Sequence, residues 1–117
     1  ILIVHEKGSR MLTFPKDDVK KGESGWRCAV RNIREKLVIP SNVLPHSKPS
    51  TTLIENFKLK EYNGIITLFV VQVQSTAGYA ISPKAKEEFK SLKWRTISDK
   101  NLLHSGRLHK LVRPFIR

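Results

Sequence analysis

Between Phe14 and Ile39 the chain reads FPKDDVKKGESGWRCAVRNIREKLVI, a stretch crowded with side chains that can handle phosphate. Lys16, Lys20, Lys21, Arg27, Arg31, Arg34 and Lys36 all fall inside it. Cations gathered in this way attract a phosphate backbone without help from a metal. The same stretch carries carboxylates, among them Asp17, Asp18, Glu23 and Glu35. Carboxylates could hold a divalent cation, but Glu35 has Arg31 four residues before it, and a helix-face ion pair is the simpler role. The chemistry of the stretch therefore divides between a metal-assisted site and a metal-free anion grip.

Bulk properties favour anions. The chain has 117 residues and a formal net charge of +12, enough for one domain with one modest core. Hydrophobic residues make up 39% and charged residues 27%, ordinary values that argue against wholesale disorder. The charge points to a polyanion, with nucleic acid, RNA or DNA, first and an anionic membrane second. The lone Cys28 excludes an internal disulfide and a multi-cysteine zinc site. The longest apolar run, Ile65 to Val73, is too short to span a bilayer, so no membrane is expected. The chain opens on ILIVHEKG without an initiator Met and reads as part of a longer protein of the cell interior, cytoplasmic or mitochondrial.

Certain elements must position these residues. ILIV reads as a buried strand, EKGSR as a turn around Gly8, and MLTF as a second strand ended by Pro15. Lys16 to Gly22 forms a charged loop. Ser24 is the expected N-cap of a helix with Trp26, Ala29, Val30, Ile33 and Leu37 on one face, stopped by Pro40. PSNVLPHSKPSTT is a loop with three prolines. LIENFKLK and IITLFVVQVQ flank Asn63-Gly64, a hairpin signal, with Phe69 in the core. STAGYAISPKAKEEF is a second connection, and SLKWRTI a late strand with Leu92 and Trp94 on one side. The tail, Ser98 to Arg117, reads as one or two short helices using Leu102, Leu103, Leu108, Leu111 and Val112. The fold class is a single α/β (α+β) domain over residues 1–117.

The Asp17–Ile39 stretch resembles the Nudix box, in which G, five residues, E and seven residues lead to R-E-U-x-E-E-x-G-U, with U a bulky aliphatic. Asp17 stands at the glycine, Glu23 and Arg31 match the next two positions, and Ile33 and Ile39 fill the aliphatic ones. FPK, CAVR and KLVRPFIR are most similar to the mRNA-decapping branch of that family. The resemblance implies a mixed β-sheet packed between helices, an α/β/α sandwich, here lacking its first strand and the helical domain that precedes decapping catalytic domains. It also implies that Glu23 and Arg31 tie the loop to the helix. An intact box converges carboxylates on Mg²⁺ to neutralise a diphosphate for attack by water. Those positions are Asn32, Glu35 and Lys36 here, so one carboxylate of three remains. An ammonium at contact with Mg²⁺ is repelled by on the order of several kcal/mol at an effective dielectric near 20. The second glycine position is Val38, which cannot turn left-handed cheaply, so the helix must exit differently. In KEEFKSLKW, Glu88 aligns with a further family glutamate, six residues before Trp94. The resemblance places Glu88 near the helix, where Glu35, Glu88 and Asp17 or Asp18 could build a poor replacement metal site.

The leading reading is a catalytically degenerate Nudix-like domain, a pseudoenzyme acting as a basic RNA-binding or assembly module in a ribonucleoprotein. It expects no cofactor and assigns Lys16, Lys20, Lys21, Arg27, Arg34 and Lys36 to phosphate. The alternative is an active hydrolase of capped RNA or another nucleoside diphosphate compound, using Mg²⁺ or Mn²⁺ on Glu35 and Glu88. A third is a scaffold for an acidic protein. Lys100, Arg107, His109, Lys110, Arg113 and Arg117 form a second basic cluster for phosphate or an acidic surface. Cys28 reads as a small covered residue, the four histidines as surface residues, Tyr62 and Tyr79 as base-stacking candidates, and Trp94 as core.

Overall fold

The computed structural model describes residues 1–58 and 64–116. Asn63 of the expected Asn63-Gly64 turn, Tyr62 and Arg117 lie outside the described residues.

Strand β1, Leu2–Glu6, is apolar on both faces, so both faces must be covered. Alternation sends Ile3 to one side and Val4 to the other. Ile3 meets Leu102, Leu108, Val112 and Ile116 from the chain's end, with Leu12 and Phe14 at the margin. Val4 meets Ala85 and Phe89, backed by Ile81 and Leu92. β1 lies between β2, Leu12–Thr13, and β7, Phe89–Trp94, both antiparallel to it. Val4 stands opposite Thr13 on one flank and Leu92 on the other. The tail closes the outer edge of β2 through a parallel bridge between Leu12 and Leu108. Leu12 N–H donates to Arg107 O at 2.7 Å, and His109 N–H donates to Leu12 O at 2.9 Å. MLTF is thus a strand over only two residues, because Phe14 leaves the ladder to pack edge-on against Phe115, with ring centres 5.6 Å apart.

Helix α1, Gly25–Lys36, starts where its cap predicts: Ser24 Oγ accepts from Arg27 N–H at 3.2 Å. Its covered face is rotated from the expected one. Trp26, Cys28, Asn32 and Leu37 are buried, whereas Ala29, Val30 and Ile33 are half-covered. The charged loop lies over Cys28, and apolar spacing within the helix cannot register a cover supplied from outside it. α1 also ends before Pro40. Leu37 is extended, with φ −126° and ψ 148°, and β3, Leu37–Val38, pairs with β6, Ala80–Ile81. Extended backbone suits Val38, and no described non-glycine residue has positive φ. Ser82 closes the helix end: its N–H donates to Lys36 O at 2.9 Å and its Oγ to Glu35 O at 2.8 Å.

β4, Leu53–Phe57, and β5, Ile66–Val70, form a third antiparallel pair, with Leu53 opposite Val70 and Phe57 opposite Ile66. Phe69 is half-buried and meets Trp26 edge-on at 5.6 Å. The second connection, expected as loop, holds β6 and a 3-10 turn over Pro83–Ala85. Short helix α2, Lys100–His104, and a 3-10 turn over Arg113–Phe115 fill the tail. The architecture is a mixed α/β domain in which the described strands form three small antiparallel sheets. Among the described residues no helix is long and apolar enough to cross a membrane.

Leu108 is 1% exposed at the centre of the larger cluster, whereas Leu53 is 64% exposed. Leu108→Ala is expected to cost about 3 kcal/mol in urea unfolding, and Leu53→Ala less than about 0.5 kcal/mol.

Candidate functional site

The loop before α1 is fastened to the helix by one guanidinium. Arg31 Nε donates to Glu23 Oε2 at 2.8 Å and Nη2 to Glu23 Oε1 at 3.1 Å, a bidentate pair. Nη1 reaches Asp17 Oδ2 at 3.2 Å and Glu35 Oε2 at 3.5 Å, and Nη2 also donates to Asp18 O at 3.1 Å. Glu23 in turn accepts from Lys20 N–H at 3.1 Å. Donation from Arg31, helped by the Lys20 amide, pulls the Glu23 carboxyl down to about 2. The reciprocal bond raises the Arg31 pKa further. Partial burial pushes Asp17 upward, but the Asp18 amide, Arg31 and the charge of Lys36 outweigh it, leaving its pKa lowered.

Cys28 Sγ sits under this loop, 3.4 Å from Asp18 O and 3.8 Å from Asp17 O. Burial, reinforced by Glu23, raises its thiol pKa, so it is a protonated packing residue and a poor nucleophile.

Lys36 makes the other decisive contact. Its Nζ donates to Glu88 Oε1 at 2.8 Å and to Lys16 O at 3.1 Å, and lies 5.7 Å from the centre of the Phe89 ring. Lys16 is itself paired, Nζ to Glu6 Oε1 at 2.8 Å. The structure therefore brings Glu88 to the helix but distributes the carboxylates between two cations: Asp17, Glu23 and Glu35 on Arg31, Glu88 on Lys36.

This arrangement does not fit a divalent metal. Glu35 and Glu88 each face a fixed cation, and among the described residues no group of three or more His, Cys, Asp or Glu could hold a metal. Asn32 Oδ1 is buried without a hydrogen-bond partner. A single neutral oxygen is too little for Mg²⁺, which needs carboxylates and near-octahedral geometry.

The remaining cations assigned to phosphate are differently placed. Arg27 Nη2 lies 3.3 Å from His46 Nε2, and Arg34 Nη2 donates to Leu44 O at 2.7 Å. Lys20 and Lys21 project from the loop, exposed, with no ion pair among the described residues. Tyr79 is no stacking platform: its ring packs edge-on against half-buried Trp94 at 5.0 Å, with its hydroxyl buried. In the tail, Leu108, Leu111 and Val112 are buried and Lys100, Lys110 and Arg113 are exposed.

Sequence reasoning missed a further gathering of charge, of which it named only Arg107. Lys7 and Arg10 of the β1–β2 turn, Lys90 of β7 and Arg107 line one concave basin of about 640 Å³. Their sequence signal is slight, a lysine and an arginine flanking Gly8-Ser9. Only the pairing of β1 with β7, and of β2 with the tail, brings Lys90 and Arg107 to them.

Comparison of the chain with protein-family models and with curated proteins finds no match.

The Arg31 clamp predicts acid sensitivity. Glu23 has a folded pKa near 2 against an ordinary 4.5. Its contribution is complete above about pH 4.5 and is lost as the pH falls toward 2. The melting temperature is expected to drop across that window, and Glu23→Gln should melt lower at pH 7 with a flatter profile below pH 4.5. Asp99, held low by Arg95, supplies the residual slope.

Proposed function

We propose that this chain is a catalytically degenerate, Nudix-like α/β/α domain that serves as a basic RNA-binding or assembly module in an intracellular ribonucleoprotein. One observation carries the reading: the positive charge that a box of this kind would recruit as metal is supplied by the chain, as Lys36 Nζ 2.8 Å from Glu88 Oε1. A tethered ammonium is monovalent and already hydrogen-bonded, so it can hold Glu88 to the helix but cannot polarise a phosphate as Mg²⁺ does. The residue matches at Glu23 and Arg31 support the family, and their mutual pairing supports a retained structural role. The net charge of +12 supports RNA as the partner. Leu53 and Ile54, exposed on β4, support the assembly part of the reading. No cofactor has a role in it.

The test is hydrolysis of cap-labelled RNA with Mg²⁺ or Mn²⁺. The natural chain is expected to release no product while binding RNA in a salt-sensitive way. Product release that Glu88→Gln abolishes would instead establish a remodelled metal hydrolase. Lys36→Glu supplies a second measurement, since it sets two carboxylates against each other at Glu88. It is expected to lose about 2 kcal/mol or more in chelator and to regain part of that with Mg²⁺ or Mn²⁺. The natural chain should melt at the same temperature with or without the ion.

A further inference from the structure

We infer that the basin beside the β1–β2 turn is where this domain grips RNA, by the phosphates of its backbone; this rests on the RNA-binding reading above. Lys7, Arg10, Lys90 and Arg107 line the basin, and Glu6 is the carboxylate among its lining residues. Glu6 is already held by Lys16 at 2.8 Å. None of the four basin cations takes part in an ion pair among the described residues. Like charges left together in a concavity repel one another and are stabilised by a polyanion that reaches several of them at once.

Two features of the backbone set these cations in place. His5 pairs with Ser91 and Glu6 with Phe89, so Lys90 is the extra residue of a β-bulge, opposite no partner. Bulges re-aim a side chain and recur beside functional sites. Gly8, with φ +77°, makes the tight turn that carries Lys7 and Arg10 around the same end.

Arg107 is held in readiness from both sides. Its Nε donates to Arg10 O at 3.0 Å, and Nη2 lies 3.5 Å from His5 Nδ1. His5 Nε2, 2.6 Å from Ser9 O, must carry the ring proton, which leaves Nδ1 to accept from Arg107. His5 is thus a positioning residue, and the other guanidinium donors are available to a phosphate. No Phe, Tyr or Trp lines the basin, and its one aromatic ring, His5, is tied through both nitrogens to Ser9 and Arg107. Recognition is therefore of backbone charge, without base stacking or sequence preference.

The test compares three charge-matched triple variants by fluorescence anisotropy with a labelled, mixed-sequence single-stranded RNA at several salt concentrations. Lys7→Ala/Arg10→Ala/Lys90→Ala is expected to bind at least about tenfold more weakly. Its salt slope should be smaller by about two, since each single-strand phosphate contact contributes about 0.7. Lys48→Ala/Lys58→Ala/Lys86→Ala, on exposed residues outside the basin, should stay within about twofold of the parent. An equal loss in that variant would overturn the basin in favour of net charge. A loss confined to Lys20→Ala/Lys21→Ala/Arg27→Ala would overturn it in favour of the helix-side loop, leaving the RNA reading intact. Absence of salt-sensitive binding by the parent would remove that reading and the basin with it. Single-stranded DNA of the same sequence should bind comparably. Competition by tripolyphosphate as effective as by RNA, at equal phosphate concentration, would overturn the strand in favour of a small polyphosphate. Melting curves matching the parent establish that each triple variant is folded.

Discussion

Arg31 must hold the loop of residues 16–24 against α1, because that loop has little else to hold it. Its residues from Asp17 to Gly22 are exposed, and Val19 is its only apolar side chain among six charged ones. Hydrophobic burial cannot dock such a segment, whereas a planar guanidinium can satisfy several oxygens of differing orientation at once. Arg31 binds both oxygens of Glu23, one each of Asp17 and Glu35, and the Asp18 carbonyl. Two further arrangements depend on this docking. The loop covers Cys28 and so fixes which side of α1 is buried. It also delivers the Lys16 carbonyl to Lys36, completing the seat of that ammonium.

These contacts redistribute charge across the whole molecule. Glu6, Asp17, Glu23, Glu35, Glu88 and Asp99 are all engaged by Lys16, Arg31, Lys36 or Arg95. The chain has ten acidic residues against twenty-two lysines and arginines, and most of the acid is gathered where the loop meets the helix. That concentration engages Lys16, Arg31 and Lys36 of the densest basic run, while Lys20, Lys21, Arg27 and Arg34 have no ion pair among the described residues. Lys7, Arg10, Lys90 and Arg107, brought together where β1, β2, β7 and the tail meet, likewise have no ion pair among the described residues. Density of charge along a sequence and charge available to a ligand are thus different quantities.

What could be read beforehand follows the range of the interaction. The Ser24 cap and the helix after it are local, and so is the pairing of Glu23 with Arg31 across one turn of chain. The cap is visible in the residues themselves, whereas the pairing is supplied by the resemblance. The Lys36–Glu88 contact joins residues 52 apart, and only family likeness placed Glu88 near the helix. Asn32 is 3% exposed, and the polar type of the residue gives no sign of that burial. β3 and β6 are two residues each, too short for alternation to register, and each exists because the other is opposite it. The basin needs a bulge in β7 and a parallel bridge to the tail. Neither leaves a trace in local composition.

The fate of Lys36 shows why its own ammonium makes a poor anion site. An ammonium has three donors. Two are directed to Glu88 and the Lys16 carbonyl, and the charge also rests near the face of Phe89. A phosphate arriving there would have to displace Glu88 and would meet Asp17 and Glu35 close by. At the basin it meets a bulged lysine, two turn cations and an arginine whose orientation is already fixed, with the adjoining Glu6 held by Lys16. A covalently attached cation, donating to both Glu88 and the Lys16 carbonyl, keeps the loop and helix joined at any metal concentration. The basin cations lie at the same end of β1, where Lys7 N–H donates to Glu88 O at 2.8 Å, and they take part in no ion pair among the described residues.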